Sequence, residues 1–204
     1  MRIIDYVQCI DFPCTEARQE SYLIPDVEVD PRSIKLMLIS ETAPNDPRDY
    51  YYASCDALFA RMTVQAFQEA GTKAANIQDL QRVGIYMTTA VKCGKHDYAV
   101  ATSTIIHCSS LLEREMALFP NVKAYLLMGD VAIKAFNNVA KRQGEPRVIP
   151  AGSTYKIRGG EFTYRGKRVF PSYLQAGPSY GIEKSKQRMI AEDIAAALRV
   201  GEII

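Results

Sequence analysis

Short apolar runs alternate with longer amphipathic stretches along this chain. Leu36-Met37-Leu38-Ile39 is a compact apolar run that ends at Ser40-Glu41-Thr42, and a loop rich in Pro, Asn and Asp follows from Ala43 to Asp49. Leu58, Met62, Phe67 and Ala70 then recur at near-helical spacing, with Gly71 as the stop. Ile85 to Val91 predicts a second strand. Ile105 to Leu118 predicts a helix closed by Phe119-Pro120, and Val122 to Met128 a third strand that Gly129 turns into a helix from Asp130 to about Lys141. Val148 to Arg165 reads as a loop or hairpin, Lys167 to Phe170 as a fourth strand, and Pro171 to Tyr180 as a loop. Ile182, Met189, Ile190, Ile194 and Leu198 mark a terminal helix.

Strand–helix alternation argues for an α/β domain with a largely parallel central sheet. Ligands in such sheets bind beyond the carboxyl ends of the strands. Those ends are Ser40-Glu41-Thr42, Thr89 to Lys92, Met128-Gly129 and Ser172-Tyr173-Leu174. Three of the four carry polar residues, which places a candidate site.

Composition narrows the class. At 204 residues the chain fits one domain, residues 1–204, long enough to bury a core. A hydrophobic fraction of 48% with 24% charged residues is that of a soluble globular protein. A net charge of +2 is too small to imply nucleic acid or membrane by itself, though a local basic surface remains open. Met1-Arg2-Ile3-Ile4-Asp5-Tyr6 lacks the apolar core of a signal peptide. No run approaches the ~18 apolar residues of a spanning helix. A cytoplasmic protein without membrane contact is expected.

Candidate chemistry begins with cysteine. Cys9 and Cys14 lie near the N-terminus and Cys93 and Cys108 mid-chain, with Cys55 outside the pattern. Two local pairs far apart suggest a fourfold thiolate site that pins an N-terminal segment, residues 1–30, to the body. Iron–sulfur clusters and structural zinc both use such sites. Neither pair has zinc-ribbon C-x2-C spacing, and buried free thiols are the alternative. A reducing compartment disfavours disulfides and shifts the balance toward metal.

Four segments in order carry a family resemblance. They are Leu36 to Glu41; Thr89-Ala90-Val91-Lys92-Cys93; Cys108 with Leu111-Leu112-Glu113-Arg114-Glu115 and Val122 to Ala132; and Phe170-Pro171-Ser172-Tyr173-Leu174. Together they resemble the uracil-DNA glycosylase superfamily, and within it the iron–sulfur-containing family 4 branch. The most specific signal is Val-Lys-Cys with a second cysteine fifteen positions later. The resemblance implies a three-layer α/β/α fold with a largely parallel four-stranded sheet. It also implies a [4Fe–4S] cluster on Cys9, Cys14, Cys93 and Cys108, structural in role. The x4 spacing of Cys9 and Cys14, with Pro13 between them, departs from the family's tighter pair but is workable.

The implied activity is hydrolysis of the N-glycosidic bond of uracil or another damaged base in DNA, the partner, by a monomer. Glu41 matches the water-positioning carboxylate, with Asp46 and Asp49 as fallbacks or turn formers. Tyr51 and Tyr52 stand in the Tyr50-Tyr51-Tyr52 run where the family keeps its stacking ring. Alternation means that all three cannot face one pocket in an extended segment. Thr89 replaces the asparagine that reads the uracil edge, and a hydroxyl offers fewer bonds than an amide. Leu174 replaces the histidine that bonds the departing base. Leucine cannot donate, whereas Gln175 could if the loop shifts by one residue. His107 belongs beside the cluster, and His96 is placed to contact phosphate. Tyr180 or Gln175 is suited to wedge into the base stack. Lys184 and Lys186, among several nearby basic residues, are candidate DNA contacts. The two substituted positions keep a second reading open: a nucleic-acid-binding relative with the fold and cluster but little or no catalysis. A small-molecule α/β enzyme with incidental cysteines is the third.

Overall fold

The computed structural model describes residues 1–54, 56–96, 99–176 and 183–204. Cys55 and Tyr180 lie outside the described residues, as do residues 177–179 of the loop from Pro171 to Tyr180 and Ile182 of the terminal helix pattern. In chain order the elements are β1 (Ala17–Arg18), β2 (Leu36–Thr42), α1 (Leu58–Glu69), α2 (Ile77–Arg82), β3 (Ile85–Val91), β4 (Gly94–Lys95), α3 (Thr102–Ala117), β5 (Ala124–Met128), α4 (Asp130–Arg142), α5 (Thr154–Ile157), β6 (Phe162–Tyr164), β7 (Lys167–Ser172) and α6 (Lys184–Val200).

The central sheet runs β3-β2-β5-β7-β6. The first four strands are parallel and are the four that the apolar runs predict. The sheet has a fifth strand, β6, antiparallel to β7 at the edge, which corrects the four-stranded expectation. Its three residues are too short to show a period. The hairpin closes through Arg165 and Gly166, both at positive φ (50° and 76°), the backbone a two-residue hairpin turn requires.

β3 and β5 are buried at every position, and β2 until Glu41. Strands covered on both faces read as continuous apolar runs, which is why these were legible. Alternate side chains serve different layers. Met37, Ile39, Tyr125 and Leu127 pack under α3 and α4, against Leu112, Ile133 and Phe136. Leu36, Leu38, Leu126 and Met128 pack under α1 and α6, against Phe67, Ile194 and Leu198. The result is the expected three-layer arrangement.

The N-terminal segment is held by pairing at several points. β1 pairs with β4 antiparallel, Ala17 opposite Lys95 and Arg18 opposite Gly94. The Met1 ammonium donates to the Val29 carbonyl at 2.7 Å, and Leu23 N–H donates to the Lys92 carbonyl at 2.7 Å. Ile3 and Val7 are fully buried. Among the described residues no helix is long and apolar enough to cross a membrane.

Strand order also locates the site. β2 and β5 are neighbours, and the chain runs from β2 outward to β3 but from β5 the other way to β7. A crevice opens beyond the carboxyl ends at such a switch point. The residue there on β2 is Glu41, and the one facing it at the end of β5 is Gly129.

Candidate active site

Glu41 is half-buried, and its Oε1 accepts the Val131 N–H at 3.2 Å in the first turn of α4. The positive end of a helix faces the carboxylate there. Gly129 makes this approach possible. Its φ is +98°, and a Cβ at that position would lie 2.5 Å from Glu41 Oε1. No side chain fits between the β5–α4 turn and the carboxylate.

Two cavities meet at Glu41. One, of about 240 Å³, is bordered by Glu41, Gly129, Asp130, Tyr173, Leu174 and Lys186. The other, of about 350 Å³, is bordered by Glu41, Ala43, Asp49, Phe59, Lys95 and Leu174, among others. Glu41 and Leu174 border both, so a carboxylate and an apolar side chain stand between the two spaces.

The remaining base-pocket candidates lie behind this wall. Tyr51 is buried and donates to Ser40 Oγ at 2.7 Å. Tyr52 uses its hydroxyl as a clamp on β3, donating to the Met87 carbonyl and accepting the Met87 N–H, each at 3.0 Å. Burial pushes the Tyr51 hydroxyl up to about 12, and hydrogen bonds from its neighbours only partly oppose this. The ring that borders the 350 Å³ cavity is Phe59, packed edge-on against Tyr51 with centroids 5.5 Å apart. Its place in the apolar stripe of α1 gives no signal that its edge reaches a cavity.

Thr89 lies opposite Ser40 in the β2–β3 register, fully buried, with its hydroxyl unpartnered among the described residues. Gln175 is also fully buried and points inward. Its amide nitrogen donates to Tyr51 Oη at 2.9 Å and Thr63 Oγ1 at 3.2 Å, while Oε1 has no partner among the described residues. Gln175 therefore does not present a donor to either cavity. Asp46 caps the short turn at Pro47–Asp49 and binds Arg48, which holds its carboxyl down at about 2; this is the turn-forming reading of that residue. Lys186 borders the smaller cavity and donates to Glu183 at 2.8 Å, while Lys184 is exposed at the start of α6. The other basic residues disperse. Arg158 bridges to Glu192 and Asp193, and Arg165 and Lys167 lie at the opposite end of the sheet.

Lys92 was visible only as part of Val-Lys-Cys. In the fold it is fully buried, its ammonium donating to Thr88 Oγ1 (2.7 Å), the Thr89 carbonyl (2.6 Å) and Glu115 Oε2 (2.5 Å). Tyr86 donates to the other Glu115 oxygen at 2.5 Å. The signal that could have found Glu115 is its place in the apolar stripe Leu111, Leu112, Met116, where a carboxylate needs a buried partner.

Cys93 and Cys108 are buried and Cys9 and Cys14 half-buried, all four as free thiols. β1–β4 pairing draws the segment after Cys14 to the residue after Cys93, and Cys108 faces inward from α3. Burial pushes Cys93 up to about 12 and Cys108 up to about 11. Neighbouring cysteine charge adds to the effect of burial at Cys14, Cys93 and Cys108. Two buried and two half-buried thiols near the β1–β4 pairing suit a thiolate-bound metal chemically, since its positive charge offsets the cost of burying thiolates. His107 stands beside this group: Cys9, Asp11 and His107 each bring a ligand atom within 4.8 Å of the others.

The profile of the uracil DNA glycosylase superfamily matches residues 28–197. Over 99 residues the chain is 25% identical to a protein from Thermus thermophilus named type-5 uracil-DNA glycosylase. The aligned stretch is 48% of this chain and 45% of that protein, so the match covers less than half the length of the relative.

Proposed function

This chain belongs to the uracil DNA glycosylase superfamily, and we propose that it releases a damaged base from DNA by hydrolysing the N-glycosidic bond. The observation that carries the reading is Glu41, a carboxylate at the switch point of the sheet, open on two cavities and seated against the start of α4. A base must leave the stack before it can be cut. Bond cleavage then places positive charge on the sugar. Glu41 stabilises that charge and orients the water that attacks the sugar carbon. Phe59 offers its ring to the flipped base, a contact worth roughly 1–3 kcal/mol. Lys184 and Lys186 hold the phosphate backbone on the same side.

Leu174 offers no hydrogen-bond donor, Thr89 is shut into the sheet, and Gln175 is turned into the core. The wall is therefore suited to a base that leaves with little help from donors, or to one bound chiefly by shape. Base release from deoxyuridine, deoxyinosine and related lesions, in single and double strands, tests this. Glu41→Gln is expected to lower release by ~10²–10³. A panel in which no base is released overturns the reading.

The four cysteines are assigned to a [4Fe–4S] cluster that ties the N-terminal segment to the end of β3. Their two local pairs, and the β1–β4 pairing that draws the segment after Cys14 to the residue after Cys93, support this. When bound, the cluster supplies a rigid anchor and no step of the hydrolysis. Anaerobic purification with iron and sulfide analysis should give about four of each per chain. Cys108→Ser should lower both, and a zinc-only protein contradicts the assignment.

The second reading, a DNA-binding relative with little catalysis, draws on Leu174 and Thr89. It predicts salt-dependent DNA binding with no base released, and fails if no binding occurs at low salt.

A further inference from the structure

A cavity larger than either of the two at Glu41 lies elsewhere in the molecule. It holds about 600 Å³ and opens where the amino ends of β5 and β7 meet α3, α4 and the β6–β7 turn. Tyr125 and Tyr164 form its floor, 3% and 7% exposed, braced by Phe136 with ring centroids at 5.1 and 5.2 Å. Neither hydroxyl has a hydrogen-bond partner among the described residues, although both side chains line the space. Four cations border it with one carboxylate, Glu113. Arg142 is paired with Glu113 at 2.5 Å, and Arg165 with Glu145 at 3.1 Å. Arg114 and Lys167 enter no ion pair among the described residues; Lys167 lies 5.9 Å from the centre of the Tyr125 ring.

We propose that this cavity binds a nucleoside phosphate, with the phosphate on Arg114, Lys167 and the Tyr125 and Tyr164 hydroxyls. A phosphate monoester carries close to two negative charges and three acceptor oxygens, matching two uncompensated cations and two free donors. The arginine fork adds directional bonds that a point charge lacks. The space is far larger than one phosphate needs and lies within the range of small-molecule sites. Its lining also includes the apolar Met116, Ala117 and Val139, and a thioether beside an aromatic ring is a favourable contact for a base. Burial pulls the Lys167 ammonium down from its usual range, and an adjacent anion opposes that pull.

Calorimetric titration of the purified full chain with dAMP, deoxyadenosine and inorganic phosphate tests the proposal. dAMP is expected to bind one per chain, and deoxyadenosine at least tenfold more weakly. Arg114→Gln with Lys167→Met should weaken dAMP at least tenfold at an unchanged melting temperature. Tyr125→Phe removes only a hydroxyl and should weaken dAMP severalfold, which covers the case where the double variant folds poorly. Glu41→Gln should leave dAMP affinity intact, separating this cavity from the proposed active site. A 5′-phosphorylated trinucleotide that competes through the same residues identifies a strand end as the source of the phosphate; no competition identifies a free nucleotide. The proposal is overturned if dAMP does not bind, if the Arg114 and Lys167 changes have no effect, or if a tetraglutamate peptide competes as well as dAMP.

Discussion

Two polar assemblies lie at the same end of the sheet and are built in opposite ways. Around Lys92, every charge is enclosed and answered. The ammonium has three acceptors, both Glu115 oxygens have donors, and neither side chain is exposed. Around Glu41, one carboxylate has a single backbone donor among the described residues and two open cavities beside it. A saturated network has no capacity left for a ligand and serves to hold β3 against α3. An unsaturated one retains the capacity for chemistry. The difference separates structural from functional polarity without regard to residue type.

The sharpest way to break the contrast is Lys92→Met. It strands Glu115 in the core, and loss of one partner of a buried pair costs about 3–5 kcal/mol. Urea unfolding should show that loss, with much of it recovered when Glu115→Leu is added. Glu41→Gln should leave the unfolding midpoint nearly unmoved. Equal costs for Lys92→Met and Glu41→Gln would erase the distinction.

Gly129→Ala probes the open assembly through its backbone. The substitution strains a conformation reserved for glycine, at about 1–3 kcal/mol, and drives a methyl into the Glu41 carboxylate. Base release should fall about as far as in Glu41→Gln, where stability does not change. Normal release with Glu41 displaced would remove that carboxylate from the mechanism.

Gln175→Met tests whether the neighbouring amide belongs with the saturated or the open group. Its nitrogen is used in the core and its oxygen has no partner among the described residues. The loss should stay near 1 kcal/mol in unfolding, with base release unchanged. A large fall in release at unchanged stability would show that Gln175 turns outward to serve the base.

The smallest effect concerns Asp46. Arg48 holds its carboxyl at about 2, below its ordinary 3.8. A carboxyl lowered on folding contributes stability above its unfolded pKa, and that contribution is lost as pH falls through the folded value. The window is therefore about pH 4 down to 2. An NMR titration should show Asp46 returning toward its ordinary value in Arg48→Ala, with little change in stability because the pair is exposed.

The four parallel strands and the helices α1, α3, α4 and α6 were legible because each leaves a long apolar or periodic trace. Residues 162–164 and the two-residue strands β1 and β4 leave none, since a pairing partner far along the chain creates them. Glu41 could be placed at a strand end, and the cysteines could be grouped. The direction of each tyrosine and of Gln175 could not, because a one-residue difference reverses a side chain between cavity and core.

Residue order alone sets the layer architecture, the carboxylate at the end of the first long strand, and the grouping of four thiols into two local pairs. Strand burial and cysteine spacing are local properties written into residue order. Folding in three dimensions brings Gly129 to face Glu41, puts Phe59 rather than Tyr51 or Tyr52 at the cavity, and joins Lys92 to Glu115. It likewise brings Arg114 and Lys167, from different elements, to the border of one tyrosine-lined cavity. Each is a meeting of segments far apart in the chain, set by strand order and by which face of each element is buried.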